Sequence, residues 1–274
     1  MHAVTLSMLR RIVRFESRDE TLIHLLTVLW HPFVTGEGVE AWRTIAIEPA
    51  GSGWTFTDGS HAKECDDIWI LFIELRAHVV EAALEASPEV VDLHAAVLVR
   101  DDAALLLAGD PGAGKTSMAL LLIGYGWSYF SDDIAPIEIN SGAVLPFPKP
   151  LGIKWGDWTH FGTYWGEAAE LLPPPTRAFL LPPPQEAIAP LSSAAPKGLV
   201  FLHFEPDAPT STKPLTRAEA ITRAGRQARR LDPQTLQKIV RLCDQTEHLA
   251  LTYNNPSTAG ERLRLFGDAL VSRK

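Results

Sequence analysis

The richest chemistry in the spacing of residues lies near the middle of the chain. There Gly109-Asp110-Pro111-Gly112-Ala113-Gly114-Lys115-Thr116 reproduces the pattern GxxxxGK[ST] in full. Glycines at 109, 112 and 114 let a backbone turn tightly, so that its N–H groups converge on phosphate oxygens. Lys115 supplies a charge for the β- and γ-phosphates, and the Thr116 hydroxyl is placed to ligate Mg²⁺. Ser117 carries the loop into the first helical turn and completes the nucleotide-contact set. The expected ligand is a nucleoside triphosphate, MgATP. The bland alternative, a glycine-rich turn of the same pattern, would not need an apolar strand before it and an apolar helix after it, and both are present.

Seventeen positions beyond Lys115, Ser131-Asp132-Asp133 closes a short apolar run. An NTPase needs a carboxylate near the phosphates for its metal, and a second can take a proton. Neighbours on a strand face opposite ways, which gives Asp132 and Asp133 different partners unless the chain bends. An Asp pair that merely forms a turn is the alternative. His94 begins the strand whose hairpin partner ends at Gly109, so antiparallel pairing brings it to the phosphate loop. A solvated histidine at a strand end fits the same position.

The elements that must hold these residues can be read from periodicity. His94 to Val99 and Ala103 to Ala108 form a hairpin around Arg100-Asp101-Asp102, and Thr116 to Ile123 is a helix ended near Gly124 and Gly126. Trp127 to Ser131, Ile134 to Ile139 and Ala143 to Phe147 read as a strand meander. Upstream, Ala3 to Phe15 reads as one strand, and Glu20 to Trp30 as a helix capped by Asp19 and stopped by Pro32. A hairpin over 41–57 and an amphipathic stretch over 66–86 follow. Ser87-Pro88 marks the boundary between an N-terminal α/β domain, 1–87, and a larger domain, 88–274. From Leu171 to Pro196 the prolines exclude regular structure over most of the length, suggesting a loop or lid. Gly198 to Phe204 reads as a buried strand, Arg217 to Leu231 and Pro233 to Gln245 as helices, His248 to Tyr253 as a strand and the residues from Ser257 as a last helix.

Composition narrows the function classes. The chain has 274 residues, 46% of them apolar, which is ample for a packed core. A net charge of -8 and a pI near 5.6 leave no global reason to seek nucleic acid or an anionic membrane. No apolar stretch approaches the ~20 residues needed to cross a bilayer, and no signal-peptide pattern opens the sequence. A cytoplasmic protein is expected. Cys65 and Cys243 lie in no metal or disulfide spacing and read as reduced thiols.

Taken together, the run Leu93 to Val99, the segment Leu107 to Thr116 and Phe130-Ser131-Asp132-Asp133 resemble the core of the HPr serine kinase/phosphorylase family and its related branches. Pro146-Phe147-Pro148-Lys149-Pro150-Leu151 resembles a segment of those branches. The resemblance implies an α/β fold of the phosphoenolpyruvate-carboxykinase-like P-loop type, with mixed and antiparallel strands around a loop that follows a hairpin. It implies that Asp132 acts as the base toward an acceptor serine, that Asp133 supports metal and site geometry with Thr116, and that His94 works beside Lys115 at the phosphates. The chain departs from the HPr enzymes in carrying Ser117 where they place an acidic residue, and in lacking their Glu-Ile-Arg-Gly signature. The related branches include kinases that phosphorylate the C-terminal serine of lasso-peptide precursors, and a peptide or small-protein acceptor of that kind is expected. An HPr-type carrier as acceptor and a nucleotide-binding peptide-recognition module remain as alternatives, and a homo-oligomer stays open.

Three further features carry weaker signals. Lys154 is a candidate for the cation that the missing arginine signature leaves unassigned, or else a surface lysine. The helix around Arg217, Arg223, Arg226, Arg229 and Arg230 could receive an acidic peptide, or be a solvated face. Trp155, Trp158, Phe161, Tyr164 and Trp165 could grip a peptide, or pack a core.

Overall fold

The computed structural model describes residues 1–36, 38–59, 61–154 and 162–272. Their contacts divide the chain into two compact units, Met1–Ser87 with Lys149–Gln185, and Pro88–Pro148 with Glu186–Lys274. Residues 149–185, read from the sequence as part of the C-terminal segment, thus cluster with the first unit. Both units mix helices with strands.

The first unit opens with the strands β1 (His2–Met8) and β2 (Arg11–Ser17), paired antiparallel. The single strand expected over Ala3 to Phe15 is therefore a hairpin. Its turn residues Leu9 and Arg10 have φ of 44° and 65°, the left-handed pair that a tight primed turn requires and that Asn-Gly usually supplies. Neither residue type announces such a turn. The helix α1 (Glu20–Leu29) follows, its first turn capped by Asp19, which accepts from the Leu22 N–H at 2.9 Å. Strands β3 (Arg43–Ala50), β4 (Gly53–Thr57) and β5 (Ala62–Cys65) complete a five-stranded sheet in chain order. Among the described residues the parallel pairing in that sheet is β2 with β3, across the α1 crossover. The helix α2 (Ile68–Glu85) is capped in turn by Asp67.

The second unit holds the candidate chemistry. Strand β6 (Val90–Leu93) leads into β7 (Ala95–Arg100), which turns at Asp101 into β8 (Ala103–Ala108). The phosphate loop leaves β8 and enters α3 (Lys115–Gly124), followed by β9 (Ser128–Ser131) and β10 (Ala135–Glu138). The expected meander forms only in part: Val144 bridges Ile137 across the Asn140-Ser141-Gly142 turn, while β9 and β10 lie in different sheets. Strand β9 pairs with β7, β10 pairs with β6 in a separate two-stranded sheet, and Ala143 to Phe147 makes isolated bridges only. The chain returns to the first unit for the antiparallel pair β11 (Leu151–Ile153) and β12 (Phe179–Leu181). Otherwise 171–196 has little regular structure, as its prolines require.

Back in the second unit come β13 (Ala195–Phe204), β14 (Ser211–Pro214), α4 (Arg217–Gln227), α5 (Pro233–Gln245), β15 (Glu247–Tyr253) and α6 (Pro256–Val271). The sheet order is β14-β15-β13-β8-β7-β9. Strands β8, β13 and β15 run parallel, while β7, β9 and β14 pair antiparallel with their neighbours. Strand β8 is buried along its whole length, which is why it reads Ala-Ala-Leu-Leu-Leu-Ala with no polar alternation. Successive side chains on these strands go to opposite faces. Leu105, Leu107, Val200, Leu202 and Leu251 form one apolar layer with Met118, Ala119 and Leu263. Leu106, Ala108, Leu199 and Phe201 form the other, with Ala220, Ala224, Ile239 and Leu242. Helices thus sandwich the sheet.

Candidate phosphate-transfer site

The parallel strands β8, β13 and β15 deliver the site by ending together. Gly109 passes so close to β13 that a Cβ there would lie 2.7 Å from the Leu202 carbonyl oxygen and 2.9 Å from the Ala113 Cβ. Gly114 sits at φ +84°, and a Cβ on it would lie 1.9 Å from the Tyr253 Oη at the end of β15. That hydroxyl donates to the Ala113 carbonyl at 2.8 Å, and burial pushes the phenol pKa up to about 12. Two of the three loop glycines are therefore dictated by the neighbouring strand ends. Gly114 also starts α3, so the first-turn amides of that helix open onto the loop.

Lys115 is 7% exposed and folds back over the loop. Its Nζ donates to the Gly109 carbonyl at 2.7 Å and meets His94 Nε2 at 2.9 Å. The other ring nitrogen, Nδ1, lies 3.0 Å from both the Asp133 backbone oxygen and the Asp133 Oδ1. An ammonium only donates and a carbonyl only accepts, so these partners assign the proton of His94 to Nδ1 and leave Nε2 to accept from Lys115. His94 is held from behind as well, its backbone N–H donating to the Gln227 carbonyl at 2.7 Å.

Thr116 turns the other way and donates through Oγ1 to Asp132 Oδ2 at 2.9 Å. Asp132 is 1% exposed, whereas the side chains of Asp133 and His94 are 44% and 34% exposed. The two aspartates part because Asp133 has φ 67°, a left-handed turn in which Ser131 Oγ donates to the Ile134 carbonyl. The backbone bend sends Asp132 to Thr116 and Asp133 to His94. Since Thr116 and Lys115 are adjacent, the five side chains close into one array: Asp132 to Thr116, and Lys115 through His94 to Asp133.

Of the residues singled out from the sequence, Gly109 to Thr116, His94, Asp132 and Asp133 come together, and Ser117 is exposed on the first turn of α3. Asp133 Oδ1 lies 3.0 Å from His94 Nδ1. Lys154 is exposed in the first unit. Trp165 is core in that unit, stacked on Phe72 at 5.8 Å and donating from Nε1 to the Leu180 carbonyl. Trp155, Trp158 and Phe161 lie outside the described residues. Arg217 is committed to Asp244 through two hydrogen bonds.

Two residues that the sequence did not suggest join the site. Tyr253 backs the loop, and Gln227 at the end of α4 donates to Asp110 Oδ1 at 3.2 Å. Neither stands within a hundred positions of the loop, and no local pattern links them to it. Among the described residues no three His, Cys, Asp or Glu side chains gather into a metal-holding group. A Mg²⁺ shared with phosphate oxygens needs only one or two protein oxygens, and Thr116 Oγ1 and Asp132 Oδ2 lie 2.9 Å apart beside the loop. No helix among the described residues is long and apolar enough to cross a membrane.

No protein-family model and no curated protein sequence matches the chain. Among solved structures, an HPr(Ser) kinase/phosphatase from Coxiella burnetii is similar, with a TM-score of 0.33 and 14% identity over 66% of this chain and 88% of that one.

Proposed function

We propose that the chain is an ATP-dependent kinase that moves a γ-phosphoryl group to the serine hydroxyl of a peptide. The observation that carries this is the closed array of Asp132, Thr116, Lys115, His94 and Asp133 around a glycine loop at the end of three parallel strands. The donor set fits a triphosphate with its metal: converging amides, a buried ammonium, and a hydroxyl already bonded to a carboxylate. Bound Mg²⁺ would neutralise charge across the β- and γ-phosphates, held by Thr116 and Asp132.

The remaining steps belong to the protein. Lys115 is aimed by the Gly109 carbonyl and by His94, whose tautomer Asp133 selects. The acceptor Oγ forms a bond to phosphorus as the bond to the ADP oxygen breaks, and its proton passes to a carboxylate. Two exposures and one distance support giving that proton to Asp133. It is accessible and orients His94, while the buried Asp132 is 2.9 Å from the metal-facing hydroxyl. The resemblance to the HPr kinase group implies the opposite division, with Asp132 as base and Asp133 at the metal.

The acceptor we propose is a ribosomal precursor peptide of the lasso type, which suits a chain that departs from the HPr enzymes at Ser117 and in its missing arginine signature. Mass spectrometry of precursor peptides and of HPr incubated with the protein and MgATP tests the reading. One added phosphoryl mass on a peptide serine is expected, and transfer to HPr alone would move the assignment to the carrier. Nucleotide binding without transfer to any acceptor would leave a recognition module. Asp132→Asn is expected to weaken Mg²⁺-dependent nucleotide binding, and Asp133→Asn to slow transfer with nucleotide affinity kept. The reverse pattern restores the division that the resemblance implies.

A further inference from the structure

The end of α4 is tied to the transfer site at several points. Gln227 bonds Asp110 of the phosphate loop through its side chain and receives the His94 N–H on its carbonyl. Ala228 bridges Leu93, and Arg229 Nε lies 3.4 Å from Asp92 Oδ2. One turn back, the Arg223 guanidinium lies 5.8 Å from the centre of the Phe201 ring, and Phe201 pairs with Ala108, the residue before the loop. Ala220 and Ala224 are the buried residues of this helix, and their small side chains let its backbone sit close to the sheet.

This corner concentrates positive charge. Arg223, Arg226, Arg229 and Arg230 are all exposed residues within a protein of net charge -8. The nearby Asp232 is exposed beside Arg230 and caps α5, accepting from the Thr235 N–H at 2.7 Å, so it offsets part of that charge. Beside the arginines, Leu231 and Leu236 are 61% and 43% exposed. Guanidinium groups flanked by apolar contacts suit a peptide that carries carboxylates and aliphatic side chains. Charge complementarity in an otherwise acidic surface selects that occupant, because the rest of the molecule repels it.

We propose that the α4–α5 corner docks an acidic segment of the acceptor peptide and leads the residues beside it to the phosphate loop. This deepens the kinase reading and rests on the loop being the donor site. The test measures fluorescence anisotropy of short labelled peptides in which one serine is flanked by Glu and Leu, by neutral residues, or by Lys. A fluorescent ATP analogue is titrated in parallel. The acidic peptide is expected to bind about tenfold tighter than the neutral one, with the difference shrinking as salt rises. Arg226→Glu/Arg230→Glu should abolish that difference while nucleotide affinity stays within about twofold, because exposed charges at this range are screened. Arg226→Gln, a milder change on an exposed helix end, should remove part of it. The proposal is overturned if the neutral peptide binds equally well, if both variants keep the preference, or if a single-stranded oligonucleotide binds as tightly and is lost in the same variants. If the nucleotide fails to bind while the acidic preference persists and is lost in the variants, the donor-site reading falls and the docking face stands.

Discussion

The six-stranded sheet of the second unit carries ionisable side chains at both of its ends. At one end lie the phosphate loop, His94 and the two aspartates. At the other, where β8, β13 and β15 begin, an open depression of about 450 Å³ is lined by Asp102, Lys197, Asp244 and Glu247 among others. The ionisable groups of that depression are exposed, and Asp244 is already paired with Arg217. At the loop, two charged groups are buried, Lys115 at 7% and Asp132 at 1%, and each is bonded to a partner that is itself positioned. Helix dipoles point the same way. The N-terminus of α3 opens at the loop end, where unsatisfied amides attract anions. Buried, mutually oriented charge distinguishes the two ends.

The comparison is sharpened most by removing charge from the loop. Lys115→Ala should lower MgATP affinity about 100-fold in calorimetric titration, since it deletes a charge-assisted contact and leaves the Gly109 carbonyl and His94 Nε2 without their donor. Unchanged affinity would remove the reason for preferring this end of the sheet.

Next in size is Gly114→Ala. The left-handed φ costs about 1–2 kcal/mol for an L-residue, and the new Cβ meets Tyr253 Oη at 1.9 Å. Thermal unfolding several degrees lower is expected, together with weaker nucleotide binding. Adding Tyr253→Phe should recover part of both losses, because the nearest remaining ring atom lies at 3.3 Å.

Tyr253→Phe alone should cost about 1 kcal/mol for the bond to Ala113. It also carries a pH signature. Burial raises the folded phenol to about 12 from its ordinary value of 10.0, so the native state holds its proton where the unfolded chain releases it. The phenol's contribution is complete below the lower value and is lost as pH rises through the higher one. The difference in melting temperature between the parent protein and Tyr253→Phe should therefore shrink across that alkaline window. A constant difference would show that the phenol is not buried as described.

The smallest effects are expected at the far end of the sheet. Lys197→Ala and Glu247→Ala should change stability by no more than about 0.5 kcal/mol and leave nucleotide affinity alone. A large loss of nucleotide binding from either would give the second depression a role in that function.

Much of the site was legible because its signals are local. Three glycines, a lysine and a threonine in eight positions state the chemistry of the loop, and the Arg100-Asp101-Asp102 turn states the hairpin that brings His94 to it. Elsewhere the residues misdirect. Leu9 and Arg10 turn a hairpin without any residue that usually does so, which merged β1 and β2 into one strand. Ala143 to Phe147 has strand composition, but Val144 and Phe147 are drawn into bridges with Ala194 and Ser131, and no ladder forms. The apolar pattern there recorded burial, and burial is common to strands and to packed irregular chain.

By itself the sequence determined the phosphate loop, the helix after it and the burial of β8, because glycine freedom, helix periodicity and unbroken apolarity act within a few residues. The tertiary structure decided which partner each aspartate takes, through a left-handed turn at Asp133 that its neighbours impose. It also decided why Gly109 and Gly114 have to be glycine, since the atoms that crowd them, Leu202 and Tyr253, arrive from strands far along the chain. Only packing brings Gln227 at the end of α4 to the loop, for a contact across that separation follows from how helices cover a sheet and leaves no trace in local spacing.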